Sequence, residues 1–280
     1  NRTFKIGRGK DDREEKQKMR AREYGTEHSQ VVILLHGGGL GPWNYREEAE
    51  RLKAYYHVVL PILDGHAGSD RSFSTIEENA RALIEEIDER FGGQVLLIGG
   101  LSLGGQVLVE MLSQRKDICK YALIESVLVR PRPITAALFR PAFSLCYPLV
   151  KLRWFAKLQS ASLHINASYF EDYFADSAAI RKEDMIAFLT ANSRYRRKES
   201  LSQCQAKVLV AAGEREQQGI KQSARDLEQT IPNAALDILP RYFHGEFSLD
   251  HADLYVKKLV DLVRGPEEGV DQPTGFRGEL

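Results

Sequence analysis

The chain has 280 residues, 43% hydrophobic and 28% charged, which supplies enough apolar material for one large α/β core or two smaller ones. Lys+Arg and Asp+Glu both number 39, and a chain with no net charge gives no reason to expect a nucleic-acid partner. Cys119, Cys146 and Cys204 lie far apart with no Cys-x-x-Cys pair, which disfavours a disulfide framework or a zinc site and points to a reducing, cytoplasmic setting.

Residues 1–24 are dense in charge, with Lys10-Asp11-Asp12-Arg13-Glu14-Glu15-Lys16 too polar to bury, and read as a charged arm or weak edge strands. The core is expected over 25–130 and 201–264. It opens on Val31-Val32-Ile33-Leu34-Leu35, a continuous apolar run of the kind found in a parallel strand buried on both faces. No aliphatic run is much longer, whereas a membrane span needs about 20 residues, and no signal-peptide pattern is visible, so no stable membrane insertion is expected. The run ends in His36-Gly37-Gly38-Gly39-Leu40-Gly41-Pro42, which cannot be helical and lets backbone N–H groups approach a ligand. A helix is expected from about Trp43 to Tyr55, then a strand at His57-Val58-Val59-Leu60 stopped by Pro61. In the loop Leu63 to Asp70, Asp64 and His66 read as groups that bond their own turn rather than as catalysts. Thr75-Ile76-Glu77-Glu78 supplies a capping box, and Ile76, Ala80, Leu83, Ile84, Ile87 and Phe91 recur at helical spacing.

The next strand, Val95-Leu96-Leu97-Ile98, runs into Gly99-Gly100-Leu101-Ser102-Leu103-Gly104-Gly105 and then an apolar helix. A G-x-S-x-G between strand and helix is the setting of a nucleophile elbow, with Gly100 and Gly104 leaving room where the two elements come close. Tyr121 to Glu125 reads as another strand. Regular alternation of strand and helix argues a mostly parallel, doubly wound sheet covered on both faces. It stops near Arg130-Pro131-Arg132-Pro133, and 131–200 reads as an inserted helical cap, because strands resume at Lys207 to Ala212 and Leu236 to Leu239 before a closing helix over about Asp250 to Val263. Residues 265–280 read as a disordered tail. From Val127 to Gln159 the bases Arg130, Arg132, Arg140, Lys151, Arg153 and Lys157 stand without a single acid, interleaved with Phe139, Phe143, Tyr147, Trp154 and Phe155. Two readings compete: ordinary packing of a solvated cap, or a greasy entrance for an ester with an apolar acyl or aryl part, its bases drawing in anionic amphiphiles or an acidic membrane surface.

A serine hydroxyl needs an imidazole to take its proton and a carboxylate to hold that imidazole's tautomer. Of seven histidines, His244 follows a strand, where parallel strands deliver side chains to a shared edge. His251 reads as surface and His36 as a structural turn residue. Among the acids, Glu216 ranks first, Glu214 second, and Glu125 is the other position able to reach the same ring; the order Ser, acid, His suits this architecture.

Taken together, residues 25 to 264 resemble the capped α/β-hydrolase superfamily. His36-Gly37-Gly38-Gly39 looks like its oxyanion loop, Asp64-Gly65-His66-Ala67-Gly68-Ser69 is similar to its D-x-G-H-G-x-S loop, Gly100 to Gly104 matches the elbow, and His244 falls at the catalytic histidine. The resemblance implies an oxyanion hole made by the backbone N–H groups of Gly38 and Leu103, catalytic Ser102, Glu216 and His244, and no metal or organic cofactor. Glu216 stands where the family usually has Asp, and Ala67 where Gly is commoner; a Glu reaches one methylene further and serves if its turn is set back. A serine elbow disfavours the dehalogenase and epoxide-hydrolase branches. The expected function is hydrolysis of a carboxylic ester or thioester of a small substrate, the alternatives being carbon–carbon cleavage of a diketone or a ligand receptor with little turnover.

Overall fold

Strands buried on both faces must feed two cores at once, and Val31–Leu35 does so: Val32 and Leu34 point into one apolar cluster, Ile33 and Leu35 into the other. The structure, a computed structural model, describes residues 19–265; the expected arm before residue 19 and tail after 265 lie outside the described residues. Among these, seven strands form one sheet: β1 (Ala21–Tyr24), β2 (Val31–Leu35), β3 (His57–Pro61), β4 (Val95–Leu101), β5 (Cys119–Glu125), β6 (Lys207–Gly213) and β7 (Ala234–Leu239), in the spatial order β1-β3-β2-β4-β5-β6-β7. All neighbours are parallel except β1, an antiparallel edge strand paired with β3. The edge-strand half of the reading of residues 1–24 thus applies to Ala21–Tyr24.

Ten α-helices complete the described chain: α1 (Arg46–Leu52), α2 (Ile76–Phe91), α3 (Leu103–Gln114), α4 (Pro133–Val150), α5 (Arg153–Ser162), α6 (Phe170–Ala179), α7 (Lys182–Arg194), α8 (Gln218–Thr230), α9 (Glu246–Asp250) and α10 (Ala252–Arg264). The helix expected over 43–55 is shorter, because Pro42–Tyr45 forms a 3-10 turn ahead of α1. α2 begins as its sequence demands, with the Thr75 hydroxyl accepting from the Glu78 N–H at 3.1 Å. The reciprocal half of the capping box is missing, since the Glu78 carboxylate turns to Arg81 instead. Residues of α2, α3 and α8 pack into the first cluster, those of α1 and α10 into the second. Helices α4 to α7 all fall between β5 and β6, and α3 is tied to α7 through Gln106, whose amide donates to the carbonyl of Asn192 at 2.9 Å.

From β2 the chain moves outward to β3 and then returns past β2 to form β4. That reversal opens a crevice at the carboxyl ends of β2 and β4, the place where open α/β sheets bind ligands. The crevice depends on very close packing. A Cβ on Gly104 would stand 2.2 Å from the Leu35 carbonyl oxygen, and one on Gly100 would stand 2.7 Å from the Gly104 carbonyl carbon. Backbone, unlike a side-chain tip, cannot swing away from such a collision. Gly104→Ala is therefore expected to lower stability by about 3 kcal/mol or more, while Gly39→Ala, which meets nothing within 4 Å, loses only the smaller cost of a strained positive φ; urea unfolding of the two variants measures the difference.

Candidate active site

Ser102 follows β4 directly and precedes α3. It takes φ 51° and ψ −108°, a conformation that costs a residue with a side chain of order 1–3 kcal/mol. The surroundings enforce it: the Ser102 N–H donates to the Glu125 carbonyl at 2.9 Å, and the Ser102 carbonyl accepts from the Gln106 N–H at 2.8 Å. The turn sets the half-buried side chain on the wall of a 190 Å³ cavity, which it shares with Gly38, Leu103 and His244. Larger clefts of 740, 670 and 340 Å³ lie elsewhere among the described residues, at the amino ends of the strands, between α4 and α7 and beside the loop from Gly65 to Ser72, and none of them is lined by Ser102 or His244.

His244 sits in the loop after β7. Its Nδ1–H donates to Glu216 Oε2 at 2.8 Å. Glu216 lies in the turn after β6 and is fully buried at its side chain. Its other oxygen, Oε1, accepts from the Ser126 hydroxyl at 2.7 Å and from the Gly213 N–H at 2.8 Å. The extra methylene of a glutamate is absorbed here: the side chain folds back over its own turn to collect the Gly213 amide while still meeting the ring. Burial pushes the Glu216 carboxyl up, but the His244 bond and charge, the Ser126 hydroxyl and the Gly213 amide outweigh it and hold the group below the ordinary glutamate range. Burial likewise pulls His244 down, and the Glu216 bond and charge overcome it and raise the ring above 6.5.

The other carboxylates separate. Glu214 accepts from the Arg241 N–H at the surface and does not meet His244. Glu125 comes close enough for its charge to be felt by His244, but its Oε1 accepts from the Ser248 N–H at 3.2 Å while Oε2 is buried with no hydrogen-bond partner. Burial pushes it up to about 7. His251, His36 and His66 make structural contacts instead. His251 stacks on Tyr242 at 4.5 Å. His36 and His66 buttress the glycine loop: His36 Nδ1–H donates to the Gly37 carbonyl and Nε2 accepts from the Leu63 N–H, while His66 Nδ1–H donates to the Asp64 carbonyl and Nε2 accepts from the Gly39 N–H at 3.0 Å. Burial lowers His36 to about 3 and His66 to about 4, so both stay neutral and keep one acceptor nitrogen each. With Gly37 N–H spent on Asn44 and Gly39 N–H on His66, the Gly38 amide lies between two fixed neighbours, against Leu103.

Three participants escape sequence reasoning. Ser126, at φ 57°, joins Glu216 to the His244 loop, its oxygen also accepting from the Gly245 N–H at 3.4 Å. Its only sequence signal is its place directly after a strand end. His66 reads correctly as structural, yet its bond to Gly39 is made across the sheet edge. The third is the apolar wall, formed by Leu163, Ile165, Phe188 and Leu189. The aromatics expected there do something else: Phe143 and Phe155 pack against the core, Tyr147 donates to the Ile180 carbonyl, Trp154 is exposed, and the Phe139 side chain lies outside the described residues. The bases divide too. Arg130 grips Asp226 with two bonds and Arg153 pairs with Glu171, whereas Lys151 and Lys157 rest over the rings of Tyr147 and Phe170.

The fold is shared with proteins of low sequence identity. An esterase from Thermogutta terrifontis matches with a TM-score of 0.73 at 18% identity, covering 88% of this chain and 93% of that one. The enol-lactonase from Burkholderia xenovorans LB400 matches with a TM-score of 0.74 at 16% identity, covering 88% and 96%. In sequence, 80 residues are 34% identical to a pimeloyl-[acyl-carrier protein] methyl ester esterase from Aromatoleum aromaticum, an alignment that spans 29% of this chain and 30% of that relative. The Alpha/beta hydrolase family itself matches over residues 32–258. With the strand order, the serine turn and the carboxylate-held histidine on one sheet edge, a match of that extent makes the chain a member of the alpha/beta hydrolase family.

Proposed function

We propose that the chain is a serine hydrolase that cleaves a carboxylic ester, or a thioester, of a small and partly apolar substrate through an acyl-enzyme. Ser102 is the nucleophile, His244 the general base and Glu216 the carboxylate that fixes the ring. The observation that carries this reading is the 2.8 Å bond from His244 Nδ1 to a buried Glu216, in a ring that lines the same cavity as Ser102. With Nδ1 committed, Nε2 is the nitrogen that takes the Ser102 proton as Oγ attacks the substrate carbonyl. The same proton then passes to the departing alcohol or thiol, and a water activated by His244 releases the acid. The backbone N–H groups of Gly38 and Leu103 receive the developing oxyanion, each worth about 3 to 4 kcal/mol. Leu103 opens α3, so the positive end of the helix dipole adds to the same site. Helices α4 to α7, with their connections, serve as the cap, supplying Leu163 and Phe188 to a wall suited to an apolar acyl group. The similarity to a methyl ester esterase favours an ester over a diketone.

Ser102→Ala is expected to lower kcat by at least about a thousandfold with the fold intact, and a fluorophosphonate should label Ser102 in the parent protein, read by mass spectrometry. Full activity in the variant would remove the reading. Continuous product release from a p-nitrophenyl ester, rather than a single turnover, separates it from a receptor.

The acid assignment has its own readout. His244 must be neutral to accept a proton, so kcat/KM should fall as pH drops through a value above 6.5. Glu216→Gln removes what raises the ring and should lower activity heavily while moving that acid limb to lower pH. Glu214→Gln should leave it in place, and Glu125→Gln, which removes a smaller contribution to the ring, should move it less than Glu216→Gln does. Glu125→Gln should also act on stability: between the ordinary 4.5 and about 7 the folded chain keeps a proton that the unfolded chain loses, so parent stability falls as pH rises across that window. The Tm advantage of the variant should then grow from about pH 5 to about pH 8.

For the substrate, kcat/KM across p-nitrophenyl esters should rise from acetate before longer acyl chains outgrow the 190 Å³ cavity; a steady decline from acetate to decanoate would contradict an apolar acyl site.

A further inference from the structure

Helix α4 is apolar on two sides. Ala136, Phe143, Tyr147 and Val150 recur at helical spacing and turn inward, Ala136 and Val150 buried and Phe143 and Tyr147 packed on the core. Ile134, Pro141, Leu145 and Pro148 recur at the same spacing on another side and face solvent. An apolar helix of this kind is ordinarily buried all round. Ile134 is 78% exposed and Leu145 82%, and on α5 the neighbours Trp154 and Leu158, one turn apart, are 62% and 63% exposed. Among the described residues, the exposed large hydrophobics run from Ile134 to Leu163 with Tyr55 as the one exception.

Charge decides what this face can meet. Residues 127–164 contain no Asp or Glu, and Lys151, Arg153 and Lys157 stand among the apolar side chains. Glu171 of α6 pairs with Arg153, while Lys151 and Lys157 are matched by aromatic rings, leaving the face positive. A second copy of the same face would set the lysines against like charges, since Glu171 is already engaged by Arg153. An anionic lipid surface instead accepts both components, headgroups for the bases and the acyl boundary for Trp154, Leu158 and Leu145. No helix of the described residues is long and apolar enough to cross a membrane, so the contact would lie in the plane of the surface.

We propose that α4 and α5 dock this protein peripherally on an anionic membrane. Leu163, directly after α5, is exposed and also lines the cavity that holds Ser102, so docking sets the cavity mouth at the lipid and lets an amphiphilic ester enter from it. Substrate entry by that route rests on the hydrolase reading; the docking does not.

The test uses the full chain carrying Ser102→Ala, mixed with vesicles of phosphatidylcholine alone or of phosphatidylcholine with phosphatidylglycerol. The chain has two tryptophans and Trp43 is buried, so a blue shift of emission reports Trp154. Binding should be about tenfold or more tighter to the anionic vesicles and should weaken with added salt. Trp154→Glu with Leu158→Glu, and separately Lys151→Glu with Lys157→Glu, should each weaken it by about tenfold or more. Tyr55→Glu, exposed elsewhere, should not. In the Ser102-containing parent these substitutions should leave turnover of a short soluble ester and the circular dichroism spectrum unchanged, which separates failure of docking from failure of catalysis or folding. Equal binding to both vesicle types, or no association with either, overturns the proposal. So does a dimer, or retention on an acidic protein, that the same substitutions abolish without any vesicle binding.

Discussion

A buried carboxylate must be met by donors or it will not remain charged, and Glu216 is the point where this constraint organises the molecule. Its three donors come from three separate strand ends: Ser126 after β5, Gly213 at the end of β6, and His244 after β7. The loops hold local bonds of their own, as from the Phe243 N–H to the Glu246 carboxylate, but the Glu216 carboxylate is satisfied only when all three ends converge. Ser126 pays in backbone strain at φ 57°, and its oxygen passes the restraint on to Gly245 beside the histidine. The ring therefore reaches the cavity in one tautomer and one orientation, with its affinity for a proton raised.

On the other side of the crevice the same logic uses histidines instead of a carboxylate. His36 and His66 are buried and neutral, so each offers one acceptor to a backbone amide and one donor to a carbonyl. They bolt the glycine loop to the loop that follows β3, at Leu63 and Asp64. Phe188 stacks on His66 at 4.6 Å and also lines the cavity, so the helical segment that walls the site is in contact with the residue that shapes the loop.

The helical segment between β5 and β6 has two unlike halves. Its later part is anchored by buried groups: Asn192 exchanges bonds with Gln106, and Asp184 accepts from the Phe73 N–H at 2.9 Å. Its earlier part, α4 and α5, presents large apolar side chains to solvent alongside lysines set over aromatic rings. Exposure on that scale costs solubility and is kept where a surface has something to meet.

Much of this was legible in the chain itself. Continuous apolar runs read as strands covered on both faces, their alternation with helices argued a mostly parallel sheet, and a serine between Gly100 and Gly104 after a strand read as a tight turn; the structure adds that a Cβ at either glycine would meet backbone. Position after a strand, with His36 set aside as the turn residue ahead of the glycine loop, pointed to His244 among seven histidines, since parallel strands bring their ends to one edge. Spacing ranked Glu216 ahead of Glu214 and Glu125 but could not separate them by contact: all three lie at strand ends, and what separates them is which oxygen finds an imidazole, which finds the Ser248 amide and which finds the Arg241 amide at the surface. Nor could composition say that the aromatics of α4 and α5 would pack on the core or face water while apolar residues from 163 onward walled the cavity, because a helix apolar on two sides carries no periodic signal of which side turns inward. Local sequence determined the elements and the chemistry they carry. The partners of each buried polar atom were decided only where distant loops closed on one another, because a hydrogen bond between residues 90 apart, as between Ser126 and Glu216, exists only in the folded chain.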